Sequence, residues 1–127
     1  MTIDLEQKKA TALAFYETAL NQRDADAAIK FIGSHYQQHN PLVEDGYAGL
    51  RKYLTWIQEN FPQSHSKVLR VFADGDHVLL HVHRVRTPGT RGDAIVDIFR
   101  LENGKIVEHW DVIQPVFETS ANPNTMF

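Results

Sequence analysis

Cysteine is absent from this chain of 127 residues. The absence excludes disulfide bonds, thiolate-bound metals and a cysteine nucleophile. It also fits a reducing compartment, so we expect a cytoplasmic protein.

Strong positive charge and long apolar runs are also missing. The net charge is −3, and lysine and arginine form no cluster, which excludes a typical nucleic-acid-binding surface. No apolar stretch approaches the roughly 18 residues of a transmembrane helix. The N-terminal sequence lacks the basic and apolar regions of a signal peptide. We therefore expect neither a nucleic acid nor a membrane as partner.

What remains is the composition of an ordinary globular protein, with 43% hydrophobic and 23% charged residues. The length suits one domain over residues 1–127. We expect residues 118–127 to form a loosely ordered tail.

Apolar residues at helical spacing predict three helices in the first half of the chain. The first covers residues 5–21. Asp24 is placed to cap a second helix that ends at Gly33, and the third covers residues 46–60. Between the second and third helices, the polar segment 36–41 is predicted to be extended.

After the third helix the apolar period changes to two, which predicts strands. Tight turns at 74–76 and 102–104 connect hairpins, and the predicted strands are 66–73, 76–87, 93–101 and 105–115. This order implies an α+β fold, with three N-terminal helices packed on a curved, cone-shaped antiparallel sheet. The interior of such a cone is the expected place for a small-molecule pocket.

Polar side chains inside these apolar strands are the most informative feature of the sequence. His81 and His83 lie two residues apart in one strand and therefore share a face. Asp97 lies in the next strand, and His109 and Asp111 lie in the last one.

The turn between the last two strands decides which of these residues meet. A type I turn with Gly104 in a left-handed bulge would place Asp97 opposite His109, with Asp111 on the same face. We favour this register. A two-residue turn would instead pair Asp97 with Trp110 and move His109 to the other face.

Several segments carry a resemblance to a known family: Tyr16, RDADAA at 23–28, QHNP at 38–41, VDIFR at 96–100 and GKIVEHWD at 104–111. Together they resemble the nuclear transport factor 2-like superfamily, and most of all its SnoaL-like group of polyketide cyclases and aldol-condensation enzymes. The resemblance covers nearly the whole chain and is most specific in the last two segments. It implies a cone-shaped α+β barrel that is often a dimer, so we expect a homodimer.

The resemblance also implies residue roles. Asp97 resembles the pocket aspartate of ketosteroid isomerases, and Tyr16 resembles the first-helix tyrosine that partners it. Those isomerases have their general-base aspartate where this chain has Asn40, so an isomerase mechanism lacks its base here. In SnoaL-like cyclases an aspartate with a nearby histidine performs the acid/base work. His109 and Asp111, with Asp97, could perform it in this chain.

Each of these residues also has a purely structural interpretation. Asp97 could form an ion pair with Arg84 or Arg100, since a carboxylate in an apolar strand needs a partner. Histidine has an ordinary pKa of about 6.5, which suits a general base, but His109 could instead be held by a backbone carbonyl. Asp111 could simply be solvated at a sheet edge.

The residues expected to bind substrate combine polar groups with apolar wall residues: His39, Asn40, Tyr53, Trp56, Ile57, His81, His83, Phe99 and Ile113. His81 and His83 could instead face a subunit interface. We expect no cofactor. A site for Fe(II) or another divalent ion, built from these histidines with His109 and Asp97, is an alternative. Two histidines in this spacing are a weak signal by themselves, so we predict no metal.

Two functional hypotheses follow. The first is a cofactor-independent SnoaL-like enzyme that moves a proton next to a carbonyl of a small apolar or aromatic substrate, in cyclisation, aldol condensation or isomerisation. Its catalytic residues would be Asp97, His109, Asp111 and Tyr16. The second is a non-catalytic domain of the same fold that binds a small molecule, which a pocket too small for a ring would favour.

Overall fold

The computed structural model describes residues 4–127. Its helices are α1 (Leu5–Tyr16), which continues into a π-helical segment (Glu17–Asn21), α2 (Ala25–Ile29) and α3 (Gly46–Asn60). Its strands are β1 (Ile32–Gln38), β2 (His65–Asp74), β3 (His77–Val85), β4 (Asp93–Glu102) and β5 (Lys105–Pro115). The strands form one sheet in the order β1-β5-β4-β3-β2.

The α+β architecture predicted from the sequence is confirmed, and the sheet has one additional strand. β2 to β5 form an antiparallel meander, whereas β1 pairs in parallel with β5. The segment predicted to be extended at 36–41 includes the end of β1. Among the helices of residues 4–127, none combines the length and the apolar composition needed to cross a membrane.

Side-chain caps define where the first two helices begin. The Asp4 carboxylate accepts the backbone N–H of Gln7 at 2.8 Å, and Asp24 accepts that of Ala27 at 3.1 Å. Asp24 is therefore the cap that the sequence predicts. The third helix covers the predicted residues, and its buried apolar stripe consists of Leu50, Leu54 and Ile57.

The end of the predicted first helix is π-helical, and its last residue is tied to the sheet. The Asn21 side chain exchanges two hydrogen bonds with the backbone of Ser66, at 2.7 and 2.9 Å. The wider π-helical turn and these two bonds fix the end of the helix against β2.

The second helix is shorter than predicted. It ends at Ile29, and Gly33 already belongs to β1. The glycine is explained by a close approach of two strands, because a Cβ at Gly33 would lie 2.8 Å from Cγ1 of Val107 on β5. The prediction that Gly33 ends the second helix was therefore wrong.

The β4–β5 hairpin differs from the favoured prediction at its turn. Asn103 and Gly104 have φ angles of +51° and +76°, as in the two-residue type I′ turn. Past the turn, Leu101 pairs with Ile106 and Arg100 pairs with Glu108, which leaves Val107 as an extra residue in a bulge.

A two-residue turn alone would have placed His109 on the opposite face of the sheet from Asp97. The bulge returns His109 to the same face. Asp97 lies opposite Asp111, and Phe99 lies opposite His109. The predicted pairing of Asp97 with His109 was therefore wrong. The predicted convergence of Asp97, His109 and Asp111 on one face is nevertheless confirmed, because the extra residue shifts the alternation by one more position.

The inner face of the sheet carries the core together with the helices. Alternate residues of β3 from Val78 to Arg84 are buried, and Phe99 of β4 packs edge to face against Phe15 of α1, with ring centroids 5.7 Å apart. Asp97 is only 4% exposed, so its carboxyl group lies within this mainly apolar layer.

Candidate active site

Asp97 lies at the centre of a buried hydrogen-bond chain. Its Oδ2 accepts the Tyr16 hydroxyl at 2.7 Å, and its Oδ1 lies 2.8 Å from His109 Nε2. His109 is itself only 8% exposed. This series of hydrogen bonds links the end of α1 to the central strands β4 and β5.

The two arginines that could have neutralised Asp97 are bound elsewhere. Arg84 donates to Asp93 at 2.9 Å, and Arg100 donates to Glu108 at 2.7 Å. Within residues 4–127, Asp97 therefore has a phenol and an imidazole as its partners and forms no ion pair with an arginine.

Gln38 of β1 fixes which nitrogen of His109 carries a proton. Its Oε1 accepts the backbone N–H of Asn40 at 3.0 Å, which defines the orientation of the amide. The same oxygen lies 2.7 Å from His109 Nδ1, so Nδ1 must be a donor. His109 Nε2 and Asp97 then share one proton. Either a carboxylic acid donates to a neutral imidazole, or an imidazolium donates to a carboxylate.

Tyr36 adds a second buried phenol from β1. Its hydroxyl accepts Gln38 Nε2–H at 3.3 Å, which leaves its own hydrogen available for an acceptor. Burial raises the pKa of Tyr36, and Asp97 and Asp111 raise it further. Burial and Asp97 likewise raise the pKa of Tyr16. Both phenols are therefore hydrogen-bond donors at neutral pH.

Asp111 lies beside this chain and is the more accessible of the two carboxyl groups. Its Oδ2 is 4.0 Å from His109 Nε2. Its two oxygens lie 3.1 and 2.9 Å from Asn40 Nδ2. The Asp111 side chain is 12% exposed, against 5% for Asp97. Asn40, at the position where isomerases have their base, orients a different carboxylate here.

A small cavity lies at this cluster, and a large groove shares two lining residues with it. The cavity has a volume of about 50 Å³ and is lined by Asp97, His109 and Asp111 among others. A cavity of about 150 Å³ is the size that takes up benzene, so this cavity admits a group as small as a carbonyl but not a ring. An open groove of about 940 Å³ adjoins it, and Tyr53 and Arg84 line both.

The structure brings most of the predicted wall residues to these two spaces. The groove is lined by Asn40, Tyr53, Trp56 and Ile113, and the small cavity by Tyr53 and Phe99. Ile57 lines neither of them, because it lies in the core and is 2% exposed.

The three histidines expected to bind substrate lie on the face of the sheet opposite to Asp97. His81 and His83 alternate with the buried residues of β3, and the His83 ring stacks on Phe127 with centroids 4.3 Å apart. His39 binds Glu108 at 2.7 Å on the same outer face. The structure does not bring these histidines to the site, because strand alternation directs them away from Asp97.

The alternative hypothesis of a divalent-metal site required His81 and His83 as ligands, and both lie on the outer face for the same reason. Asp97, His109 and Asp111 still offer ligand atoms within 4.8 Å of one another. However, the facing atoms of Asp97 and His109 share a proton, and the other Asp97 oxygen accepts from Tyr16. A cation could enter only by displacing that proton. The donor set therefore fits a hydrogen-bonded cluster better than a metal centre.

Gln38 and Tyr36 are the site residues that sequence reasoning missed. Their spacing of two in an extended segment was a usable signal, since it places both side chains on one face. The pairing of Gln38 with His109 depends on β1 running parallel to β5, which the segment's own pattern does not indicate.

A family model described as a SnoaL-like domain matches residues 12–109. The chain belongs to the SnoaL-like domain family. The matched region of this SnoaL-like chain includes Tyr16, Asn40, Asp97 and His109 and ends two residues before Asp111. The family resemblance noted in the sequence is thus confirmed.

Solved structures share the fold at low sequence identity. TsrD from Streptomyces laurentii is 19% identical, with a TM-score of 0.73 over 88% of this chain and 91% of that one. AclR, a candidate hydroxylase from Streptomyces galilaeus, is 24% identical, with a TM-score of 0.71 over 87% and 91%. A candidate polyketide cyclase from Acidithiobacillus ferrooxidans is 18% identical, with a TM-score of 0.70 over 89% and 91%. A comparison with curated proteins found no match.

Proposed function

We propose that this SnoaL-like protein is a cofactor-independent enzyme that moves a proton at the carbon next to a carbonyl group. The observation that carries the proposal is the contact of three titratable groups. Asp97 lies 2.8 Å from His109, and Asp111 lies 4.0 Å from the same imidazole. Buried and mutually interacting groups of this kind are concentrated at catalytic sites. The structural similarity to a candidate polyketide cyclase supports the reaction class.

Asp111 is the base in this proposal. Asn40 orients its carboxylate, and its side chain is more exposed than that of Asp97. A substrate carbonyl in the small cavity would present its neighbouring carbon to Asp111. The C–H bond then breaks, the proton passes to the carboxylate, and the electron pair moves onto the carbonyl oxygen.

The oxygen that gains charge needs a hydrogen-bond donor. The proton shared by His109 and Asp97 lies next to Asp111 and can shift towards that oxygen. The Tyr16 hydroxyl donates to Asp97 and so stabilises the negative charge left on this carboxylate. In an isomerisation, the same groups acting in reverse return a proton to carbon. In an aldol condensation or cyclisation, the enolate carbon instead forms a bond to a second carbonyl carbon, and the proton passes to the oxygen of that carbonyl.

The substrate we expect is a small apolar or aromatic compound with a carbonyl group. Its ring would lie in the groove, against Tyr53, Trp56 and Ile113, because the cavity beside the carboxylates is too small for it. The resemblance implies a homodimer. Exposed apolar side chains on the outer face of the sheet, Phe72, Val96 and Val112, support that expectation.

Exchange of the α-protons of 4-phenyl-2-butanone with D₂O, followed by proton NMR, tests the proposal without knowledge of the natural substrate. The ketone of this compound stands on a flexible chain, so it can enter the cavity while the ring stays in the groove. The wild type should exchange these protons faster than buffer alone. Asp111→Asn should lower the protein-catalysed rate by about 10²–10⁴-fold, the usual contribution of a general base. Asp76→Asn, at an exposed turn residue, is the matched control and should exchange like the wild type. An Asp111→Asn variant with undiminished exchange would rule out the assigned base.

A non-catalytic binding domain is the second candidate, and the size of the cavity favours it. About 50 Å³ beside the carboxylates leaves no room for a ring to reach them. If 4-phenyl-2-butanone shifts the resonances of groove residues while its α-protons exchange only at the buffer rate, the protein binds this class of molecule without acting on it.

A further inference from the structure

Arg86 is a groove cation without a carboxylate partner. The other basic residues that line the groove are paired, Arg51 with Asp26, Lys52 with Glu44, and Arg84 with Asp93. No carboxylate oxygen of residues 4–127 lies within 4.0 Å of Arg86. Arg86 is therefore a cation of the groove that no carboxylate contacts, although Glu59, which forms no ion pair among residues 4–127, lines the same groove farther away.

Aromatic side chains, rather than anions, hold the Arg86 guanidinium. One terminal nitrogen donates to the Tyr53 hydroxyl at 2.8 Å. The group also lies 5.1 Å from the ring centroids of both Trp56 and Phe61. Its Nε–H is buried and has no hydrogen-bond partner in the described part of the chain. These contacts fix the guanidinium plane. The buried Nε–H is not accessible to a ligand, but three N–H donors remain on the two terminal nitrogens.

The wall next to Arg86 is flat and aromatic. The rings of Tyr53 and Trp56 stack with an interplanar angle of 18° and centroids 6.1 Å apart. Trp56 is 41% exposed and lines the groove, so a ligand bound there would remove apolar ring surface from water. Tyr53 also lines the small cavity beside Asp97 and Asp111, so this wall extends from the cation to the active site.

We propose that the groove binds an aromatic carboxylate, with the carboxylate on Arg86 and the ring on the Tyr53–Trp56 wall. A guanidinium matches a carboxylate because both are planar and can form two parallel hydrogen bonds. One free cation calls for a monoanion, and the stacked rings favour a planar apolar body. This inference rests on the proposed function and names the substrate class of the same site.

Binding of 2-naphthoate, measured by isothermal titration calorimetry, tests the inference against 2-naphthamide, its uncharged isostere. The wild type should bind the carboxylate about 10- to 100-fold more tightly, as expected for charge-assisted hydrogen bonds. Arg86→Met should abolish this preference, and Arg86→Lys, which keeps the charge but not the planar fork, should retain part of it. Arg51→Met is the matched control. It removes a paired cation from the same groove and should keep the preference.

The inference is overturned if the wild type binds neither compound, or binds the amide as tightly as the carboxylate. It is also overturned if Arg51→Met loses the preference as fully as Arg86→Met, since general attraction by the groove would then explain it. Asp111→Asn separates this inference from the proposed function. It should keep the affinity for 2-naphthoate while losing α-proton exchange. A wild type that prefers 2-naphthoate but does not exchange α-protons would refute only the proposed enzyme activity. A wild type that exchanges α-protons but does not prefer 2-naphthoate would refute only the proposed carboxylate site at Arg86.

Discussion

Two separate substitutions of Asp97, by leucine and by asparagine, test the buried hydrogen-bond chain, because both side chains are similar in size to aspartate. Asp97→Leu leaves the Tyr16 hydroxyl and His109 Nε2 facing an apolar group. Each buried polar group without a partner costs about 1–3 kcal/mol, so the free energy of unfolding should fall by about 2–6 kcal/mol. That is a large part of the roughly 5–15 kcal/mol by which a typical domain is stable.

Asp97→Asn should be tolerated much better because the introduced amide can satisfy both partners. Gln38 holds the proton of a neutral His109 on Nδ1, so Nε2 can accept the amide N–H while the amide oxygen accepts from Tyr16. The cost should stay below about 1.5 kcal/mol, the usual size of one net hydrogen bond.

Urea unfolding at pH 7, followed by tryptophan fluorescence, compares the two variants. The two costs differ by about 0.5–6 kcal/mol, so the midpoint of the leucine variant should lie about 0.3–3 M below that of the asparagine variant, for a typical slope of about 2 kcal/mol per M. A leucine variant as stable as the asparagine variant, with an unchanged slope, would refute the reasoning, because the partners of Asp97 would then not depend on it.

Three further predictions concern buried and paired groups. Tyr16→Phe should lower the free energy of unfolding in urea by about 1–3 kcal/mol, whereas Tyr47→Phe, which removes an exposed hydrogen bond from the hydroxyl to the Gly33 carbonyl, should cost only about 0.5–1 kcal/mol. In a spectrophotometric titration, two of the four tyrosines should resist ionisation at about pH 11 until the protein unfolds. Their raised pKa means that the native state keeps protons that the unfolded chain releases, so stability should fall as the pH rises above about 10. Burial alone would raise the pKa of Glu108, but hydrogen bonds from Arg100 and from His39 hold it below its ordinary value of 4.5. Stability should therefore fall as the pH drops below 4.5 and through the lower folded pKa. Unfolding of Glu108→Gln at pH 3 and pH 6 should show a smaller difference than the wild type.

Most helices and strands could be predicted from the sequence, because the spacing of apolar residues and the residue preferences of turns are local properties of the chain. The third helix, the four strands of the meander and the cap at Asp24 follow from apolar spacing and from single residues. The bulge at Val107 could not be predicted, since it depends on how β5 fits against two neighbouring strands. The correct face for His109 was therefore reached through an incorrect pairing.

The candidate site was predicted in part for the same physical reason. Tyr16, Asp97, His109 and Asp111 meet as expected, because family resemblance and strand alternation both point to one face. His81 and His83 share a face with each other, but alternation alone does not say whether that face is inside or outside the cone. The role of Gln38 required the parallel pairing of β1, which is a long-range feature of the fold.

The central claim is that a substrate carbonyl meets Asp111 at the cluster around Asp97 and His109. A crystal structure of the protein soaked with 4-phenyl-2-butanone tests it most directly. We predict that the ring lies against Trp56 in the groove, with the carbon next to the carbonyl within about 3.5 Å of an Asp111 oxygen, the distance of a near-attack arrangement. A ligand bound with its carbonyl directed away from this cluster, or bound only on the outer face of the sheet, would contradict the claim.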